Sequence, residues 1–145
     1  MKSKLIGRRV VVSLERGDRV VASLKEVAHN HELTAASISG IGGINDVTVA
    51  FYNLNEKQYI ERNFPETYEL LSCVGNVTMK DGEHFIHTHV SIADVNYQVY
   101  GGHLMEATVA IVGEFVMDPI DGAIARLMND DIGLAIWNLE EMNSD

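Results

Sequence analysis

Gly82-Glu83-His84-Phe85-Ile86-His87-Thr88-His89-Val90-Ser91-Ile92-Ala93-Asp94 holds three of the six histidines of this chain, and Gly101-Gly102-His103-Leu104 adds a fourth shortly after. Residues 86–92 alternate and are rich in β-branched side chains, which favour a pleated surface, so they read as a strand. Residues two apart on a strand share a face. Ile86, Val90 and Ile92 therefore face one way, and Phe85, His87, His89 and Ser91 the other. His84 is out of phase with the two histidines and stays outside the set. Gly101-Gly102 permits a turn that most residues resist, and a chain folding back there brings His103 to His87 and His89. Three neutral imidazoles suit zinc, and also iron, nickel or copper. Three protein ligands leave one position open, the pattern of an exchangeable or catalytic site. Asp94 and Glu114 are the carboxylates that would orient an imidazole N–H from behind. The competing reading keeps the same histidines as half-exposed polar positions, or as hydrogen-bonding groups at a subunit interface.

Around this strand the chain reads as more sheet than helix. Ser72 to Met79 is a strand, and Lys80-Asp81-Gly82 turns it into the histidine strand as a hairpin. Leu5 to Leu14, with its three valines, is a first strand. Arg19 to Leu33 places Val20, Val21, Leu24, Val27 and Ala28 at helical spacing, with Asp18 or a neighbour as cap. His29 and His31 near its end diverge on a helix and belong to the surface. Thr34 to Gly43 begins as a strand and ends in Gly40-Ile41-Gly42-Gly43, which lacks the spacing of a phosphate loop and suits a bulge or a close backbone approach. Asp46 to Leu54 and Lys57 to Phe64 form a meander that Pro65 breaks. Ala107 to Met117 is a strand with Glu114 in its apolar second half, where a carboxylate is paired, functional, or at an edge facing water. Ala123 to Met128 suggests a short helical turn, Asn129-Asp130-Asp131 an acidic loop, Leu134 to Leu139 a last strand with Trp137 in the core, and residues 140–145 a polar tail. The expected class is α+β, a largely antiparallel sheet with one main helix packed on it.

Length and charge bound the function. A chain of 145 residues makes one domain over 1–145 with a real core. No apolar run is long enough for a bilayer-spanning helix, and Gly7 with two arginines interrupts any signal-like start, so a cytoplasmic protein is expected. Cys73 is the single cysteine and reads as a buried, inert thiol. Net charge is −10, from 21 acidic residues against 11 lysines and arginines. Nucleic-acid affinity rests on Lys and Arg neutralising phosphates, so direct DNA contact is disfavoured. Lys2, Lys4, Arg8 and Arg9 form the one basic cluster, read as the solvated end of a first strand.

Two families resemble the histidine stretch. The cupins have a first motif of Gly, then His-x-His, then an acid and Gly; Gly82, His87, His89, Asp94 and Gly101 fit it loosely. Their second motif, around Pro-x-Gly-x-x-His, has no counterpart here. The chain more closely resembles the PPC domain of plants and prokaryotes, through His87-Thr88-His89, Asp94 and Gly101-Gly102-His103-Leu104. Ser39-Gly40-Ile41-Gly42-Gly43 and Glu114-Phe115-Val116-Met117 extend the likeness over nearly the whole chain. The stretch Pro65-Glu66-Thr67-Tyr68-Glu69-Leu70-Leu71 departs from the Gly-Arg-Phe of plant members, so plant partners are not carried over. The resemblance implies the α+β fold and a homotrimer, and it sets Gly42, Gly43, Gly101 and Gly102 at the border of the site cleft. Stand-alone bacterial members are described as candidate DNA-binding proteins. The Arg-Gly-Arg-Pro of an AT-hook is absent; Glu15-Arg16-Gly17-Asp18 is not one.

Three function classes follow. One is a trimeric binding or regulatory module whose histidines hold a divalent metal, zinc first. Another is a metal-dependent hydrolase or lyase acting on a small-molecule ligand, with Glu114 or Asp94 as general base. A trimeric interaction module without metal is the third.

Overall fold

The computed structural model describes residues 1–139, so the polar tail read over 140–145 lies outside them. The elements run β1 (Lys2–Ile6), β2 (Arg9–Leu14), α1 (Val20–Asn30), β3 (Ala36–Asn53), β4 (Gln58–Phe64), β5 (Tyr68–Lys80), β6 (Glu83–Ala93), β7 (Val99–Pro119), β8 (Ala125–Asn129) and β9 (Leu134–Asn138). They form one sheet, antiparallel except where Met79 of β5 meets Ala125 of β8. β3 pairs with β5, β5 with β6, β6 with β7, and β7 again with β3, so these four strands close on themselves. Closure holds residues 89–93 of the histidine strand between β5 and β7. The α+β expectation therefore holds, with a single helix among the described residues.

The core follows from alternation. In β2, Val10, Val12 and Leu14 are buried and the residues between them are not. In α1, Val20, Leu24, Val27 and Ala28 make the apolar stripe that period 3.6 puts on one face. That stripe packs on β7, β6 and β2, joining Ile44, Ile92, Val109 and Phe115 in one cluster. The helix is capped from outside its own segment. Arg19 stands at the N-cap without a side-chain bond, and the Glu106 carboxylate on β7 accepts the N–H groups of Val21 at 2.7 Å and Ala22 at 3.2 Å. Asp18, the expected cap, instead accepts the Glu15 N–H.

Other local readings are corrected by packing. Residues 5–14 are not one strand: Gly7, at φ +60°, starts a tight turn that folds β1 onto β2. Gly40–Gly43 is no loop but the middle of β3, with register shifts around it. A side chain at Gly40 would run into the Phe115 ring and one at Gly42 into the Val112 carbonyl, which is the close approach expected from the sequence. Gly101 and Gly102 also lie within a strand, opposite Ser91 and Val90. The chain reverses earlier, where Asp94 Oδ1 accepts the N–H groups of Asn96 and Gln98. Residues 123–128, read as a helical turn, supply β8 instead. Trp137 is 43% exposed rather than core, because β9 pairs only with β8 at the sheet margin. Cys73 is fully buried, and burial pushes its thiol up to about 12.

Candidate metal centre

The hairpin β5–β6 turns at Asp81-Gly82, both at positive φ, and delivers His87 and His89 on the same side of β6. β7 then runs back so that His103 stands directly opposite His89. The three rings lie 5.0–5.3 Å apart, centroid to centroid. One nitrogen from each falls within 4.8 Å of the others. Tetrahedral zinc at about 2.0–2.1 Å from each nitrogen needs them roughly 3.3 Å apart, so the ligand atoms would draw together on binding. His87 and His103 are partly buried and His89 is exposed, which leaves the centre a solvent-facing side.

The electrostatics suit a ligand set. Burial is the main cause that lowers His87 to about 4, with the neighbouring His103, Arg126 and His89 adding to it. Burial, then His89 and Arg126, lowers His103 as well. Both rings are therefore neutral near pH 7 with a lone pair to give, which metal binding requires. Donor type, number and spacing fit a divalent transition metal.

The surroundings include residues that sequence reasoning missed. Tyr59 on β4 packs against His103 at 5.0 Å. Arg126 on β8 places Nη2 3.2 Å from His87 Nδ1. Its Nε donates to Thr78 Oγ1, Nη1 to the Ala135 carbonyl and Nη2 also to Asn76 Oδ1. Its guanidinium carbon sits 4.8 Å over the Phe85 ring. These groups border a cavity of about 420 Å³ that His87 and His103 open into, walled by Lys80 and by aliphatic side chains of α1, β7 and β9. The one signal for Arg126 was its place in an apolar stretch, too weak to separate it from a surface arginine.

The carboxylates go elsewhere. Asp94 spends its oxygens on the 94–98 turn, with Tyr100 Oη 3.5 Å from Oδ2. Glu114 is exposed near the far end of β7, opposite Ser13 and Ile41. Neither touches an imidazole, so neither orients one or serves there as a base. Gly42 faces Gly113, remote from the histidines, and Gly43 packs against Ile111; they border no part of this cavity. Gly101 and Gly102 act one step back, letting β7 close on its neighbours beside His103: a methyl group on Gly101 would lie 2.5 Å from the Val90 carbonyl of β6, and one on Gly102 3.2 Å from the Ala50 carbonyl of β3. His84 faces away, against His29 of the helix.

The described residues thus form a closed, largely antiparallel sheet that carries one helix and a three-histidine cross-strand cluster. The model of the Plants and Prokaryotes Conserved (PCC) domain matches residues 1–121, and the chain belongs to that family. Three solved structures are similar over nearly their whole length. A candidate DNA-binding protein of Bacteroides thetaiotaomicron is 30% identical with a TM-score of 0.93, covering 97% of this chain and 98% of its own. A plant- and prokaryote-conserved protein of Pyrococcus horikoshii is 30% identical with a TM-score of 0.85, covering 97% of each chain. A metal-containing protein of Archaeoglobus fulgidus is 32% identical with a TM-score of 0.84, covering 92% of this chain and 95% of its own. No curated protein sequence matches the chain. Among the described residues no helix is long and apolar enough to cross a membrane.

Proposed function

We propose that this protein is a homotrimeric binding module that holds a divalent metal, zinc first, on His87, His89 and His103. The observation that carries the reading is the strand register that sets His103 opposite His89 with His87 on the same side. The relative described as metal-containing supports it. Exposed Ile41, Leu71, Val74 and Ile111 on β3, β5 and β7 give further copies an apolar surface to cover. DNA binding, the description of the Bacteroides relative, finds little support in the charges. Arg8 and Arg9 share the single Asp118 carboxylate, and Lys2 pairs with Glu15, so about half of the basic cluster's charge is offset.

The cavity favours a second reading, a hydrolase or lyase acting on a small substrate in the cytoplasm. A metal there would supply Lewis acidity at its open position. The chain's own contributions are the aliphatic walls that exclude water and Arg126 and Lys80, which orient whatever enters. Elemental mass spectrometry on untagged protein purified without chelator, beside the His87→Ala/His89→Ala double variant, tests the centre. Near-stoichiometric metal lost in a folded variant upholds it. Metal absent from both, even after incubation with zinc, sinks it.

A further inference from the structure

The cavity beside the histidines is basic inside an acidic protein. The chain carries 21 Asp and Glu against 11 Lys and Arg, yet Lys80, Arg126, His87 and His103 line this cavity, and among the described residues no carboxylate does. Arg126 is only 8% exposed. Buried charges are ordinarily paired, but the partners of Arg126 are a hydroxyl, an amide, a carbonyl, an imidazole and the face of Phe85. Among the described residues no Asp or Glu forms an ion pair with it. Five N–H groups in a fixed fork match a carboxylate, and four contacts on neutral groups leave one N–H over.

The contact with His87 links that cation to the metal. A guanidinium only donates, so its bond to Nδ1 uses the Nδ1 lone pair. A metal on Nδ1 takes that lone pair, and a metal on Nε2 leaves the proton on Nδ1. Either way Nη2 loses an acceptor next to a new positive charge. A carboxylate in the cavity would replace the acceptor and offset the charge.

We propose that this cavity takes a small organic carboxylate together with the metal, anchored by Arg126 with Lys80 beside it, so that metal and anion bind cooperatively. The inference rests on the metal reading above and names the class of ligand for the same site. The largely aliphatic and aromatic walls favour an organic body over a bare inorganic anion, and about 420 Å³ lies in the range of small-molecule sites.

The test measures zinc affinity of the full chain by competition with a chromophoric chelator, at rising benzoate, its neutral isostere benzamide, or inorganic phosphate. Benzoate should tighten zinc at least about fivefold, the low end of typical coupling, while benzamide leaves it unchanged. Reciprocity requires zinc to tighten benzoate by the same factor in calorimetry. In Arg126→Gln, zinc alone should bind tighter than in the wild type and the benzoate effect should vanish; should that variant not fold, the benzoate–benzamide contrast in the wild type decides. Benzoate and benzamide acting alike, or a folded Arg126→Gln keeping the full effect, would overturn the proposal. Phosphate matching benzoate would overturn the assignment to organic carboxylates. If the wild type takes no zinc, the metal reading falls separately, and calorimetry on the metal-free chain decides. Benzoate binding without benzamide binding then supports the anion pocket, and neither binding overturns it.

Discussion

Gly75→Ala is the substitution that most directly ties the packing of the sheet to its chemistry. Gly75 on β5 stands opposite Thr88 on β6, between the pairs Asn76–His87 and Val74–His89. A methyl group there would lie 2.7 Å from Thr88 Cγ2, 2.8 Å from Thr88 Cα and closer still to the His87 carbonyl oxygen, where ordinary contact starts at 3.4 Å. The obstacles are mainly backbone, and β6 is held to β5 by ladder pairs on both sides of this position, so the strand cannot swing clear. Overpacking of this kind costs about 1–3 kcal/mol. Losing one or two ladder hydrogen bonds adds about 1 kcal/mol each, and the stiffer unfolded chain returns about 0.4–1 kcal/mol. The net expectation is a loss of about 2–4 kcal/mol, or roughly 5–15 °C in Tm for a chain of this size.

Urea denaturation reads the loss as a lower midpoint at unchanged slope. Because the displaced strand carries His87 and His89, zinc affinity should fall with stability, by about 10–100-fold, as when a ligand loses its orienting partner. Gly82→Ala is the control: it strains a positive φ at the hairpin tip but meets nothing within 4 Å, so it should cost only about 1–2 kcal/mol and leave zinc binding intact. A Gly75→Ala protein within about 0.5 kcal/mol of the wild type, with undiminished zinc affinity, would refute the reasoning.

Glu106→Ala removes the acceptor for two N–H groups at the start of α1 and should destabilise by about 1–3 kcal/mol through lost capping and dipole terms; a urea midpoint equal to the wild type would contradict that role. Metal-free protein should lose stability with acid in a defined window. The unfolded chain protonates His87 below about 6.5 while the folded one resists until about 4, so stability is whole above the first value, falls between the two and levels off below the second. Denaturation at pH 7, 6, 5 and 4 should follow that course, and His87→Ala should flatten it. Cys73, buried and pushed up to about 12, should ignore a thiol reagent in the native state and react on unfolding; rapid native labelling would show that β5 opens.

How much of this was legible depended on whether neighbours or distant strands set each outcome. The His87–His89 pairing and its separation from His84 follow from period two, which is local. The hairpin at Asp81-Gly82 follows from turn chemistry, also local. Glu106 capping α1, by contrast, joins residues 85 apart in sequence, and nothing in the helix announces it. Arg126 is similar: a strand pairing with only β9 and the end of β5 is too short to show alternation, and the order Ala-Arg-Leu-Met suits a helix equally well. Gly101-Gly102 was assigned the correct consequence through the wrong cause. Both glycines matter because other backbones press against them, while Asp94 makes the reversal. The sequence leaves Glu114 open between a paired or functional role and exposure, because alternation shows which face a residue takes but not whether that face meets solvent; it is exposed.

The position of the histidines within the ring carries one more consequence. β5 and β6 pair along nearly their full lengths, whereas the β6–β7 seam that closes the ring stops at His89–His103. His87 lies just past that last rung, with β7 already turned toward β3 and the helix. A metal on all three would act as an extra rung at the end of the weakest closure, joining β6 to β7 where backbone pairing has run out. Binding of that kind stabilises the native state by RT ln(1 + [L]/Kd), so zinc at 100 times its Kd should add about 2.7 kcal/mol. Hydrogen exchange locates the gain. Amides of Val90, Gly102 and Leu104 should slow on adding zinc, while those of β1 and β2 follow only the global rise. Uniform slowing across the sheet would mean that the seam is not where the ring opens.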